Sequence, residues 1–290
     1  MTKEVIKCRS AAKINLFLEI LGEREDGYKE IQTIFSLIEV YDQLNFTLTK
    51  NNTVKILTDT DSLKQADNLV YKVAIFIKNK YNVNSGVIVE LKKNIPLAAG
   101  LGGGSSDAAA TINALNLLWD LHLSDNEKQE IAAEWGSDIN FFLKGPTALG
   151  EGRGEKITPL PDIPINHIFL VNPDFGISSR EAYSFVKYGY TPKSYDKFLE
   201  TKSTEFCFNR LEEEIRKKYQ IIDEIIQHME NNGASKAILS GSGATIIGFC
   251  PNHDTAKYLS QYYSEKGYWN TITKTKGDPN EHYRCKGFYS

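Results

Sequence analysis

Cysteine is scarce and scattered in this chain of 290 residues. Cys8, Cys207, Cys250 and Cys285 make no CxxC and no other metal-ligand spacing. A thiolate metal centre is therefore not expected, and the four read as unpaired thiols of a reducing compartment. Long apolar runs are missing as well. No stretch approaches the roughly 20 residues that a spanning helix needs, so no membrane partner is expected. The opening Met1-Thr2-Lys3-Glu4-Val5 has the pattern of neither a signal nor a transit peptide. A cytoplasmic location follows as the expectation. Charge of one sign is not in excess either. The 34 basic and 37 acidic residues leave a formal net charge of −3, which argues against a general nucleic-acid binder. Internal repeats, low-complexity tracts and a heptad seam are all absent and do not fix an oligomeric state; a monomer or weak homodimer is the expectation.

What remains is an ordinary globular composition, 41% hydrophobic and 24% charged, in a chain long enough for one large or two medium domains. One stretch stands out: Pro96-Leu97-Ala98-Ala99-Gly100-Leu101-Gly102-Gly103-Gly104-Ser105-Ser106-Asp107. Four glycines fall within five positions, followed by two hydroxyls. Ala108, Ile112, Leu115 and Trp119 then recur at the spacing of an amphipathic helix, with Ser105 or Ser106 as its N-cap. A glycine loop entering a helix offers free N–H groups and the positive dipole end to an anion, which makes it a candidate phosphate cradle. It lacks the Gly-Lys-Ser/Thr ending of a P-loop and the spacing of the dinucleotide fingerprint. Asp107, expected in the first helical turn, would repel a phosphate unless a cation lay between, which hints at a metal–nucleotide complex.

Taken in order, Lys13 to Ile20 alternates as a strand, with Ile14, Leu16, Leu18 and Ile20 on one face and Lys13, Asn15, Phe17 and Glu19 on the other. Asp26-Gly27 centres a turn that ends at Tyr28. Short antiparallel strands follow, then a helix capped by Asp67 or Asn68, a strand over Gly86–Leu91, and the glycine loop. Ser124 and Glu127 have capping-box spacing for a helix ending near Trp135-Gly136. Asp138 is then either an N-cap or a carboxylate entering a cleft. Pro159, Pro161 and Pro164 mark a junction, which divides the chain into domains 1–160 and 161–290.

The second half reads as a strand over His167–Val171, a helix opened by a Ser178/Glu181 capping box, and helical periodicity from Leu211 to Met229. A strand over Ala237–Ser240, a second glycine turn at Gly241-Ser242-Gly243, and a strand over Ala244–Cys250 come next. A helix capped by Asp254 and a last strand over Tyr268–Thr273 complete it. That order suggests a ferredoxin-like αβ sandwich.

The stretch Pro96–Ser106 resembles the Pro-x-x-x-Gly-Leu-x-x-x-Ser-Ser motif of the GHMP kinases, named for galactose, homoserine, mevalonate and phosphomevalonate. Further matches in order are Ala12-Lys13-Ile14-Asn15, Asp26-Gly27-Tyr28, Gly136-Ser137-Asp138, Gly152-Arg153-Gly154-Glu155 and Leu239–Ala244. The branch that they resemble most acts on 4-diphosphocytidyl-2-C-methyl-D-erythritol, in isoprenoid precursor biosynthesis. The resemblance spans nearly the whole chain. It implies an α/β (α+β) fold, with a left-handed βαβ crossover in the first domain, an ATP-binding unit, and a substrate-binding second domain.

The resemblance also implies transfer of the ATP γ-phosphoryl to the 2-hydroxyl of that small-molecule substrate. Lys13 and Asp138 would be catalytic. Asp138 would take the hydroxyl proton, and Lys13 would offset negative charge beside it. Pro96 to Ser106 would hold the triphosphate, with Asn68, Leu69 and Lys93 bordering the adenine. Asn15, Lys29, Gly241, Ser242 and Gly243 would contact substrate. Tyr28 would stack on the cytosine against Tyr183 or Phe185. Mg²⁺ is expected with ATP, with Ser106 and Asp138 both conceivable ligands. Two positions depart from the family. Lys29 stands where a His is usual and can donate but not accept hydrogen bonds, which bears on cytidine recognition. Arg210 stands where an Asp is usual and reads as a surface change. The alternatives are another GHMP-family kinase, which would not need the stacking pair at Tyr28, and a non-catalytic nucleotide- or RNA-binding module, which would not need Lys13 and Asp138.

Overall fold

The computed structural model describes residues 4–60, 65–187 and 192–277, and the backbone of 286–288. Two very long strands form its spine: β1 (Val5–Glu23) and β2 (Lys29–Thr49), antiparallel and joined at the Asp26-Gly27 turn. β3 (Val54–Thr58), helix α1 (Leu69–Lys80) and β4 (Gly86–Lys92) follow. β3 and β4 are parallel neighbours joined through α1, a βαβ crossover. The far half of β2 pairs with β4, and its near half with β5 (Thr147–Gly152), which pairs with β6 (Lys156–Pro159). Between β4 and β5 lie α2 (Gly103–Leu118), α3 (Asp125–Trp135) and α4 (Ile139–Lys144).

After β6 the chain builds a second sheet from β7 (Ile168–Asn172), β9 (Lys236–Leu239), β10 (Ile246–Phe249) and β11 (Trp269–Thr273). Their order is β11-β7-β10-β9, and every neighbouring pair is antiparallel. That is the strand order of a ferredoxin-like sandwich. Its helices include α5 (Ser179–Ser184), α6 (Asp196–Thr201), α7 (Glu212–Lys218), α8 (Gln220–Asn231) and α9 (His253–Glu265). The second half also returns to the first sheet. β8 (Phe208–Asn209) and β12 (Lys286–Phe288) both pair with β1. No helix among the described residues is long and apolar enough to cross a membrane.

Several local expectations change in three dimensions. Strand β1 is buried on both faces, so Lys13, Asn15 and Glu19 are not solvated. A register shift between Asn15 and Phe17 interrupts the simple alternation, so Leu16 and Phe17 join the same apolar cluster. A bulge of this kind redirects side chains along a strand. Helix α2 is not amphipathic: Ala109, Ala110, Thr111 and Ala114 are buried as fully as Ala108, Ile112 and Leu115. Small side chains allow it to lie enclosed in the first core. Its N-cap is Gly102, not a serine. Helix α9 is capped by Asn252 Oδ1, not by Asp254. The periodic run from Leu211 to Met229 breaks at Tyr219, where ψ is 86°. The α3 capping box is complete. At α5 only half of one forms, because the Glu181 carboxylate accepts the Tyr219 hydroxyl at 2.6 Å instead. Cys8 is disulfide-bonded, against the expectation of four free thiols, while Cys207 and Cys250 are free; Cys285 lies outside the described residues. Spacing in sequence does not reveal which distant cysteines meet.

The largest revision concerns Arg210. Its guanidinium makes two 2.7 Å bonds to the Glu19 carboxylate, and Glu19 is fully buried in β1. Glu19 also accepts the backbone N–H groups of Ile20 and Lys193. Far from being a surface change, Arg210 ties the second half of the chain to the spine. Removing one partner of a buried pair strands the other charge, at a cost of about 3–5 kcal/mol. Arg210→Ala is therefore expected to lose that much stability in denaturant unfolding, and a loss below about 1 kcal/mol would mean that the pair does no more than a surface ion pair.

Candidate active site

The glycine loop closes over the middle of β1. The Lys13 N–H donates to Leu101 O at 2.9 Å, which docks loop on strand. Gly102 then turns the chain into α2 with φ at 69°. A side chain is excluded there on two counts, since a Cβ would lie 2.8 Å from Phe142 Cζ and 3.0 Å from Lys13 Cγ. The first turn of α2 (Gly103, Gly104, Ser105) lines the cleft, where orphan N–H groups and the dipole favour an anion.

The second glycine turn meets the same lysine from the other side. A Cβ on Gly241 would sit 3.2 Å from Lys13 Nζ and 3.0 Å from Asn15 Oδ1. The two turns also contact each other, with the Ser240 hydroxyl donating to Gly100 O at 3.1 Å. Asn209 holds the second turn, donating to both Leu239 O and Gly241 O at 2.8 Å.

Lys13 is thus enclosed by glycines. Its ammonium donates to Asn15 Oδ1 at 2.7 Å and stands 3.7 Å from Asp138 Oδ2. Asn15 in turn donates to Thr33 Oγ1 at 2.7 Å. Burial lowers the Lys13 pKa, and the Asp138 carboxylate works against that shift. Asp138 occupies the N-cap position of α4, yet its side chain makes no capping bond. The carboxylate lines the cleft instead, with a third of the side chain exposed.

The cleft between the two sheets has a volume of about 1120 Å³. Lys13, Asn15, Asp138, Tyr28, Lys29, Leu69, Lys93, Tyr183, Gly241 and Ser242 line it, with most of Pro96–Ser105. Five expected residues do not. Asn68 caps α1 by accepting the Val70 N–H. Leu101 is buried. Ser106 lies one residue too deep, fully buried, its hydroxyl without a hydrogen-bond partner. Gly243 is backed by Leu239. Of the two aromatic candidates, Tyr183 lines the cleft while Phe185 lies under the Lys218 ammonium, 3.9 Å from its ring centroid. Burial, and then the Asp138 charge, raise the Tyr183 pKa, so it stays a neutral phenol.

At the outer end, Tyr28 is more than half exposed. Asp26 accepts its backbone N–H at 3.1 Å, the first reason that the Asp26 pKa lies below its usual value. Lys29 pairs with Glu23 across the hairpin at 3.0 Å. Arg153 and Arg180 also line the cleft. Sequence reasoning gave neither a role, although Arg153 lay inside a matched motif.

Asp107 also departs from expectation. It is not beside the phosphate position but buried, accepting from Ser10 at 2.6 Å and from Lys93 at 2.8 Å. Lys93 bridges it to Asp42, whose other oxygen accepts the N–H groups of Asn94 and Ile95. The cation that Asp107 called for is a lysine of the protein.

Two family descriptions match in order: "GHMP kinases N terminal domain" over residues 68–145 and "GHMP kinases C terminal" over residues 199–268. A 4-diphosphocytidyl-2-C-methyl-D-erythritol kinase of Caldanaerobacter subterraneus is 38% identical, over 93% of this chain and 96% of the relative. The chain belongs to the GHMP kinase family. A second such kinase, from Thermoanaerobacter pseudethanolicus, is 40% identical over 93% of this chain and 97% of its own length. Among solved structures, a 4-(cytidine 5'-diphospho)-2C-methyl-D-erythritol kinase superposes with a TM-score of 0.81 at 26% identity, covering 94% of this chain and all of its own. A homoserine kinase of Cytophaga hutchinsonii shares the fold at TM-score 0.75 and 16% identity, covering 98% of both chains. As a GHMP kinase the protein is an ATP-dependent small-molecule kinase.

Burial first, opposed by Lys93 and reinforced by Asp42, pushes the Asp107 carboxyl up to about 7 from 3.8. A raised carboxyl pKa stabilises the fold through its protonated form. That contribution is complete below 3.8 and is lost as pH rises to about 7. Asp107→Asn has no such proton to lose. Its melting temperature relative to wild type is expected to rise across this window, and a difference constant with pH would show that Asp107 does not titrate there.

Proposed function

We propose that the protein transfers the γ-phosphoryl of ATP to the 2-hydroxyl of 4-diphosphocytidyl-2-C-methyl-D-erythritol. The observation that carries this is the Lys13–Asp138 pair, 3.7 Å apart, in a cleft lined on one side by a helix start and on another by an exposed tyrosine. Relatives at 38–40% identity over most of the chain bear that substrate's name. In this reading residues 1–160 form the ATP-binding domain and residues 161–290 the substrate-binding domain. We place the enzyme in the cytoplasm, as a monomer or weak homodimer with no nucleic-acid partner.

Phosphoryl transfer asks mainly for positioning and charge neutralisation. The Gly103, Gly104 and Ser105 N–H groups would hold the triphosphate. Leu69 and the Lys93 stem would border the adenine, while the Lys93 ammonium stays with its two carboxylates. Asp138, within reach of the acceptor hydroxyl, would take its proton. Lys13, desolvated and enclosed, would stabilise charge between donor and acceptor where water cannot screen it. Asn15 accepts from the Lys13 ammonium and would face substrate. Tyr28 would take one face of the cytosine, with Tyr183 opposite as the aromatic from the second half.

Magnesium fits this arrangement as an ion carried mainly by the phosphates. It usually keeps several waters and takes one or two protein oxygens. The Asp138 carboxylate and the Ser105 hydroxyl line the cleft to supply them; Ser106 is buried away from it. When bound, the ion would neutralise phosphate charge.

The test is ATP-coupled turnover with the diphosphocytidyl acceptor beside mevalonate and homoserine. Activity with the first is expected, and activity confined to either of the others would overturn the assignment. Asp138→Asn should lower kcat by about 100-fold or more with little change in ATP affinity; turnover near wild type would remove Asp138 as the base. Tyr28→Ala should raise the acceptor KM, by about tenfold for the loss of a base stack, while an unchanged KM would argue against stacking.

A further inference from the structure

Arg153 sits in the turn Gly152-Arg153-Gly154-Glu155, with one contact fixing its backbone and two placing its guanidinium. The Glu155 carboxylate accepts the Arg153 backbone N–H at 2.5 Å, fixing the turn. The same carboxylate stands 4.0 Å from Nε, beyond hydrogen-bond distance. The guanidinium carbon lies 4.7 Å from the centroid of the Tyr28 ring, within the range of a cation–π contact. One residue further along the turn, a Cβ at Gly154 would lie 3.9 Å from Asp138 Oδ1. Arg153 therefore has its guanidinium against the proposed base platform and its chain neighbour beside the proposed catalytic carboxylate, and it lines the cleft that joins them.

The proposed acceptor has the same order of parts. A diphosphate separates its reacting hydroxyl from its cytosine. If the base lies on Tyr28 and the hydroxyl meets Asp138, the dianionic bridge must cross the space between, where Arg153 is. Of the other cations of the cleft, Lys13 is engaged with Asn15 and Asp138, Lys93 with two aspartates and Lys29 with Glu23, which leaves Arg180 as the rival for this role. A planar guanidinium can also bond two phosphate oxygens at once, which an ammonium cannot do in the same geometry.

We propose that Arg153 receives the diphosphate of the acceptor and so selects for diphosphate-linked over uncharged substrates. This rests on the acceptor assignment above. The residue serves two ends: it braces the Tyr28 ring with one surface and offers N–H groups to the phosphates with its edge.

The test separates this idea from the acceptor assignment. Acceptor KM and ATP KM are measured for wild type, Arg153→Gln, Arg153→Lys and Arg180→Gln. Calorimetric binding of cytidine diphosphate and of cytidine is measured in parallel. Arg153→Gln is expected to raise the acceptor KM and weaken cytidine diphosphate by about tenfold or more, the scale of losing one close charge contact. ATP KM and cytidine binding should stay within about twofold, and Arg153→Lys should recover part of the loss. Equal loss of cytidine and cytidine diphosphate would overturn the proposal, leaving Arg153 as a brace for Tyr28 alone. An unchanged acceptor KM, or an effect carried by Arg180→Gln instead, would overturn it too. If wild type fails to turn over the acceptor, the assignment fails, and the two binding measurements still decide whether Arg153 reads a diphosphate.

Discussion

The structure depends on burying a lysine ammonium where two glycine turns meet. Lys13 is 4% exposed in the middle of the spine strand. Taking an ammonium out of water is costly unless hydrogen bonds and an opposite charge replace the lost solvent. Asn15 supplies the hydrogen bond, Asp138 the charge, and Thr33 holds Asn15 in place. Much of the surrounding backbone follows from that requirement. The loop at Gly102 and the turn at Gly241 can approach the lysine only because neither carries a side chain. Each comes from a different half of the chain, so enclosing Lys13 also brings the two sheets together.

Charge pairs anchor that junction at a distance from the chemistry. Glu19 and Arg210 tie β1 to the segment before α7, in the same stretch where Asn209 holds the Gly241 turn. Lys93, Asp42, Asp107 and Ser10 join the end of β4 to α2, which begins with the proposed phosphate-binding turn. Such buried pairs add little net stability over an apolar core, but losing one partner strands the other. Apolar packing is thus given up for defined geometry: α2 points its N-terminus at one place, and the second turn faces it.

Much of this was legible in the chain. The spacing Pro96–Ser106 and its entry into a helix follow from backbone freedom and helix-end chemistry, which are local. The ferredoxin-like order of the second sheet could be read from element succession. The capping box at Ser124 formed as its spacing suggests. Other features were hidden because they depend on residues far apart. Arg210 looked like a surface change until Glu19, almost two hundred positions earlier, proved to be its partner. Asp107 looked like a problem for a bound anion until Lys93 and Asp42 were found around it. That Tyr183 lines the cleft while Phe185 packs under Lys218 is likewise set by residues distant in the chain.

The local grammar was written in the chain: where glycine admits close approach, where the Ser124 capping box opens a helix, and which family the ordered motifs resemble. Tertiary structure alone decided which side chains share a volume. A lysine at 13 and an aspartate at 138 become a pair only when strand, loop and helix are folded together. Burial then sets the strength of their interaction, because the dielectric around a charge is a property of everything packed near it and of no single stretch of chain.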